Sequence, residues 1–163
     1  GIRYGNDGAN VAMSIPVRAG TRVFVESIDC QSVRNGNAWI VDFLKNAQVE
    51  HIVIDGASGQ NILAKELKDA RVKPRAILPT VKEVINANAS FEQAIYQKTL
   101  AHKGQPSLAK VVSNCEKRNI GTHGGFGYKS QFDDMDISLM DSVILAHWAC
   151  VESKPSKKQK IRC

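Results

Sequence analysis

Two strand-forming runs near the start of the chain, joined by a tight turn, constrain the fold more than any other feature. Residues 9–18 and 22–30 are rich in β-forming side chains, and only the segment 19–21, which contains Gly20, separates them. This spacing predicts an antiparallel hairpin. The sheet that contains it must then accommodate whatever elements follow.

After the hairpin, the hydrophobic period changes from two residues to the helical value. Apolar residues at helical spacing predict a helix from Asn37 to near Ala47 and a second one over about 60–70. Short apolar runs at 51–54 and 75–78 predict strands, the first of them buried on both faces. The order strand, helix, strand, helix, strand predicts parallel strands beside the hairpin.

The second half of the chain is predicted to be mostly helical. The helices are expected at 81–100, with a break near Asn88 left open, at 107–118 and at 138–151, and the glycines of 121–127 predict a loop or a hairpin. The expected fold class is therefore α/β: a mixed sheet of an antiparallel hairpin plus parallel strands, flanked by helices. A single domain is expected over residues 1–152.

Composition limits the class of protein. Hydrophobic residues make up 43% of the chain, which excludes disorder throughout, and the four cysteines form no Cys-x-x-Cys pair that would indicate a zinc site. No apolar run approaches the roughly 18 residues of a membrane span. We therefore expect no membrane contact and a cytoplasmic location.

Charge is concentrated at one end of the chain. The net charge is +6, and residues 153–163 hold five of the basic residues and no acid. This basic C-terminal tail predicts contact with a polyanion, although such tails are also found simply solvated.

Three aspartates occupy positions that suit metal-dependent phosphodiester chemistry. Asp55 directly follows a predicted buried strand, Asp141 lies at the start of the last predicted helix, and Asp7 precedes the hairpin. Such chemistry uses carboxylate oxygens to hold two cations about 4 Å apart. Taken singly, the three residues have simpler interpretations as a turn residue, a helix-dipole partner and a loop residue.

Longer motifs support the chemical interpretation. The segments 140–146 (Met-Asp-Ser-Val-Ile-Leu-Ala) and 53–56 (Val-Ile-Asp-Gly), together with 91–96, 100–108, 119–121, 124–128 and 136–139, resemble the C-terminal nuclease domain of phage terminase large subunits. The resemblance covers roughly residues 36–152. It implies a ribonuclease H-like fold and an endonuclease, dependent on two Mg²⁺ or Mn²⁺ ions, that cuts concatemeric phage DNA during packaging in the cytoplasm of the infected host cell.

The resemblance also implies a ligand set. Asp55 and Asp141 match two acidic positions of the family, whereas the expected aspartate of the first strand is absent from residues 2–6. Asp7 is then the nearest candidate and Asp29 an alternative. Supporting roles are open for two residues: Asp136 either assists the site or caps the helix, and Lys129 either reaches a phosphate or is a surface lysine.

Partners follow from the same resemblance. Double-stranded DNA is the implied substrate, and in a full terminase an ATPase motor domain, the small terminase subunit and the portal are implied partners. No Walker A motif is found here, so the chain resembles the nuclease domain alone. The alternatives are another ribonuclease H-like nuclease, such as a resolvase or transposase core, and a non-catalytic DNA-binding or motor-docking module.

Overall fold

A six-stranded sheet forms the centre of the molecule, for which the computed structural model describes residues 1–122 and 124–152. Its strands are β1 (Ile2–Tyr4), β2 (Asn10–Ala19), β3 (Arg22–Ser32), β4 (Ile52–Asp55), β5 (Ala76–Ile77) and β6 (Leu100–His102). Their spatial order is β5-β4-β1-β2-β3-β6. Two further strands, β7 (Cys115–Ile120) and β8 (Gly125–Ser130), pair only with each other.

Strand directions make the sheet mixed. β1, β2 and β3 are antiparallel neighbours, β4 runs parallel to β1 and β5 parallel to β4, and β6 runs parallel to β3 at the other edge. Among the described residues, five α-helices accompany the sheet: α1 (Ala38–Asn46), α2 (Gln60–Asp69), α3 (Val81–Tyr96), α4 (Pro106–Ser113) and α5 (Ser138–Glu152). The predicted fold class is confirmed, and the arrangement is consistent with a ribonuclease H-like fold.

Each face of the sheet carries its own hydrophobic core, as the alternation of side chains along a strand requires. On one face, α1 and α2 pack through Ile40, Leu44, Leu63 and Leu67 against Ile2, Tyr4 and Ile54. On the other face, α3, α4 and α5 pack through Phe91, Leu108, Val143 and Ile144 against Ala12, Val25 and Val53. Arg3 lies between Ile2 and Tyr4, so its side chain leaves the strand towards α5.

Helix α5 lies close to the sheet because small residues line the contact. The buried hydroxyl of Ser142 is 2.6 Å from that of Ser14 on β2, and Ser142 Oγ also donates to the carbonyl of Leu139 at 2.8 Å. A side chain at Gly1 would meet the backbone of Ser142 and Ala146. This close approach brings the first turn of α5 next to β1.

Two predicted helices of the second half were wrong in extent. Helix α3 ends at Tyr96, before β6. It is unbroken at the buried Asn88, because Asn88 Nδ2 donates a hydrogen bond to the carbonyl of Val84 at 2.8 Å, within the helix. Helix α4 ends at Ser113 rather than at residue 118, since 115–120 pair with 125–130 as a hairpin. The hairpin alternative for the glycines of 121–127 is confirmed: Gly121 and Gly124 lie in the turn, and Gly125 and Gly127 lie in the second strand.

Two expectations concern membranes and the tail. Within residues 1–122 and 124–152, no helix combines the length and the apolarity needed to cross a membrane. The basic tail, residues 153–163, lies outside the described residues.

Candidate carboxylate site

Two of the predicted aspartates meet around one arginine. Arg3 Nη1 donates to Asp55 Oδ2, and Arg3 Nε lies 3.4 Å from Asp141 Oδ2. Arg3 Nη2 donates to Asn6 Oδ1 at 2.7 Å. The side chains of Arg3, Asp55 and Asp141 are 11%, 18% and 19% exposed, so the cluster is largely withdrawn from water.

The sheet register explains this meeting. Arg3 and Asp55 are directly paired residues of the parallel strands β1 and β4, so their side chains leave the sheet on the same face. Asp141 lies in the first turn of α5, which packs on that face. Three segments distant in sequence therefore deliver one cation and two anions to one point at the carboxyl end of the central parallel strands.

The electrostatic balance of the site is uneven. Burial raises the pKa of Asp141 to about 7, the negative charges of Asp55 and Asp136 act in the same direction, and the positive charges of Arg3 and Arg118 oppose them. The ionised form of Asp141 is therefore under-stabilised by its surroundings. A further positive charge at this position would favour that ionised form.

A small cavity of about 30 Å³ adjoins the carboxylates. Its lining includes Arg3, Asp55 and Asp141, and on the hairpin side Arg118 and Tyr128. Arg118 Nε donates to the carbonyl of Tyr128 at 3.2 Å, which ties its side chain to the neighbouring strand. Burial raises the pKa of Tyr128 to about 12, so its hydroxyl stays protonated near neutral pH.

Asp7 is not among the residues that line this cavity. Asp7 is exposed, and its Oδ1 accepts from the backbone N–H of Ala9 at 2.9 Å, which closes the turn between β1 and β2. A Cβ placed on Gly5 would lie 3.0 Å from Asp7 Oδ1 and 3.3 Å from Asp136 Oδ1, so these two carboxylates flank Gly5.

The remaining acidic candidates have structural partners. Asp136 accepts from both the N–H and the hydroxyl of Ser138, at 2.8 and 2.7 Å, and so stabilises the start of α5 while adding negative charge near Asp141. Asp29 is exposed and accepts from the N–H of Cys30 and from Gln31 Nε2.

Lys129 lies on the hairpin. Its Nζ is 2.8 Å from Glu116 Oε1 across the β7–β8 pair, and the side chain is 54% exposed. An exposed ion pair of this kind contributes little to stability. Lys129 is therefore free to exchange its partner, and contact with a phosphate stays a prediction.

The donor set at the site suits one hard cation better than two. Among the described residues, no group of three or more His, Cys, Asp or Glu side chains is arranged to hold a metal ion. Mg²⁺ is commonly held by one or two carboxylates together with water and substrate phosphates, and Asp55 and Asp141 fit that description. A second cation would need a third carboxylate, and the central strand carries Arg3 instead; the two-ion arrangement stays a prediction.

Sequence reasoning missed the two arginines of this site. Arg3 lies in the segment 2–6, which the sequence marked only by its lack of an aspartate, and Arg118 lies at the end of the helix predicted over 107–118. The available signal for Arg3 was its position between two apolar residues of a short strand, which requires its side chain to leave on the opposite face. No comparable signal marks Arg118, because its place depends on the β7–β8 register.

Comparison with protein-family models, with curated proteins and with solved structures gave no match.

Proposed function

We propose that this domain hydrolyses phosphodiester bonds of double-stranded DNA with the help of a divalent cation, as the nuclease domain of a DNA-packaging terminase. The observation that carries the proposal is the convergence of Asp55 and Asp141 on one guanidinium at the carboxyl end of β1 and β4. In open α/β sheets, that end of the strands is the usual place for ligands.

Asp55 and Asp141 would hold the cation through their carboxylate oxygens. When bound, Mg²⁺ or Mn²⁺ supplies an activated water and stabilises the negative charge that develops on the phosphate. Arg118 borders the same cavity and offers a guanidinium for a phosphate oxygen. Tyr128, protonated near neutral pH, offers a neutral donor beside it.

DNA is the proposed substrate because Arg118 and Tyr128, which border the carboxylates, suit a phosphate group, and a duplex presents phosphates along both strands. The basic tail adds five positive charges to the chain. Contacts of this kind orient a duplex without reading its sequence, so little sequence preference is expected.

The motor domain, the small terminase subunit and the portal are proposed partners in a full packaging complex, and the cytoplasm of an infected host cell is the proposed location.

A second candidate is a non-catalytic DNA-binding or docking module. Arg3 favours it, because a guanidinium already neutralises the charge that a cation would otherwise meet. A resolvase or transposase core differs from the first proposal only in its DNA substrate, and it is tested by offering branched DNA in the same assay.

Plasmid cleavage by the full 163-residue chain separates these candidates. We expect Mn²⁺-dependent nicking and linearisation of supercoiled DNA, and a loss of at least 100-fold in Asp55→Asn and in Asp141→Asn, since each variant removes one ligand charge. Asp133→Asn changes the same charge at an exposed position and serves as the matched control. DNA binding without any cleavage, in the parent and in all variants, would support the docking module instead.

A further inference from the structure

We infer that Arg3 is a built-in counter-ion that competes with a divalent cation for Asp55 and Asp141, so that the site accepts metal only when the guanidinium releases them. This inference rests on the proposed function, because it concerns the same carboxylates. It adds that a side chain of the same domain limits metal binding at those carboxylates.

The geometry of Arg3 carries the inference. Its guanidinium contacts both carboxylates through different nitrogens, and a third contact to Asn6 fixes its orientation. The side chain is only 11% exposed and extends from the central strand of the sheet. Asp55 Oδ2 and Asp141 Oδ2 are therefore engaged by a cation that belongs to the fold.

Competition follows from charge and from space. A carboxylate oxygen that pairs with a guanidinium offers less charge to a metal ion, and the adjoining cavity of about 30 Å³ is lined by Arg3 itself. Two partly buried carboxylates without Arg3 would repel each other, and a divalent ion relieves that repulsion more completely than a single positive charge does.

Of the two contacts that Arg3 makes with carboxylates, the one with Asp141 is the weaker. Arg3 Nε is buried without a hydrogen-bond partner, because its 3.4 Å approach to Asp141 is an ion pair only. An unsatisfied buried donor costs stability, so the contact with Asp141 stabilises this arrangement less than a hydrogen-bonded ion pair would. Release of the Arg3 guanidinium from the two carboxylates, for example to a DNA phosphate, is thus the step that opens the site.

Mn²⁺ titration followed by electron paramagnetic resonance, in which free and bound ions are distinguished directly, tests the inference without reference to activity. The samples are the full chain and the variants Arg3→Gln, Arg3→Met, Arg3→Gln combined with Asp141→Asn, and Arg34→Gln. Arg34 is exposed and forms no ion pair among the described residues, so Arg34→Gln matches the charge change at a distance.

We expect Arg3→Gln and Arg3→Met to bind Mn²⁺ at least tenfold more tightly than the parent. Arg34→Gln should match the parent, and Asp141→Asn should abolish the gain. Unchanged affinity in folded Arg3→Gln, or a gain that survives Asp141→Asn, overturns the inference. Should Arg3→Met lose its cooperative melting transition, Arg3→Gln decides, because its amide still donates to a carboxylate.

The outcomes also separate this inference from the proposed function. Tighter Mn²⁺ binding in Arg3→Gln with no DNA cleavage by any form of the chain upholds the counter-ion and rejects hydrolysis. Metal-dependent cleavage by the parent, with equal Mn²⁺ affinity in Arg3→Gln, upholds hydrolysis and rejects the counter-ion.

Discussion

At the scale of single residues, the ionisation of the site is set by a small number of charged side chains. Arg3 partly compensates Asp55 and Asp141, and Arg118 adds a second positive charge at the cavity edge. Removing one member of such a cluster leaves the others uncompensated, so each substitution changes the ionisation of its neighbours as well as its own contact.

The ionisation of Asp141 makes stability depend on pH. Burial raises the pKa of Asp141 in the folded protein to about 7, against 3.8 for an unperturbed aspartate, so the folded state holds the proton more tightly. The stabilisation from that proton is complete below about pH 4 and is lost as the pH rises through 7. Asp141→Asn cannot ionise, so its melting temperature relative to the parent should increase between pH 4 and 8 in metal-free buffer.

Thermal melts at closely spaced pH values measure this difference. Asp133→Asn is the control, since Asp133 is exposed and its substitution should shift the melting temperature equally at every pH in this range. A difference between Asp141→Asn and the parent that stays flat from pH 4 to 8 would show that Asp141 ionises as a solvated carboxyl group does.

At the scale of elements, the junction after β4 fixes the position of Asp55. Gly56 has φ of +112°, and a Cβ there would lie 2.5 Å from the carbonyl oxygen of Tyr4 and 2.7 Å from its Cβ. The strand β1 thus passes directly over the turn that follows Asp55. Only glycine permits this approach, which keeps Arg3 and Asp55 in register.

Gly56→Ala should therefore destabilise the fold by about 2–5 kcal/mol, from overpacking plus backbone strain. Gly20→Ala is the matched comparison: Gly20 has φ of +63° with nothing within 4 Å of a new Cβ, so backbone strain alone should cost about 1–2 kcal/mol. Urea unfolding of both variants measures the costs. Equal losses would mean that the contact with Tyr4 has no energetic weight.

The elements differ in how far local sequence determines them. The β2–β3 hairpin, α1, β4 and α2 were predicted correctly because hydrophobic period and turn residues mark them. β6 was missed because a three-residue strand gains its identity from pairing with Val23–Val25 and has little pattern of its own. β7 was missed because Cys115–Ile120 is largely polar and is held by its partner strand.

At the scale of the whole molecule, the sheet topology brings together site residues that the sequence pattern alone does not place near one another. Asp55 and Asp141 were selected because their predicted positions, after a strand and at a helix start, coincide with acidic positions of the resembled family, and parallel strands bring such ends to one edge. Asp7 was selected by proximity in sequence to β1, and the turn closed by Ala9 accounts for its hydrogen bond instead. The part played by Arg3 required the β1–β4 register, which no local pattern contains.

Iron-directed backbone cleavage tests the central claim, a divalent-cation site between β1, β4 and α5, most directly. Fe²⁺ is expected to bind to the same carboxylates if they hold a divalent cation, and with ascorbate and peroxide it cuts the chain nearest to where it binds. Mass spectrometry of the fragments should locate cuts around residues 3, 55 and 141, suppressed by excess Mg²⁺ and stronger in Arg3→Gln. Cuts confined to the segments around Asp7 and Asp136, or none above the level of an Asp55→Asn, Asp141→Asn double variant, would contradict it.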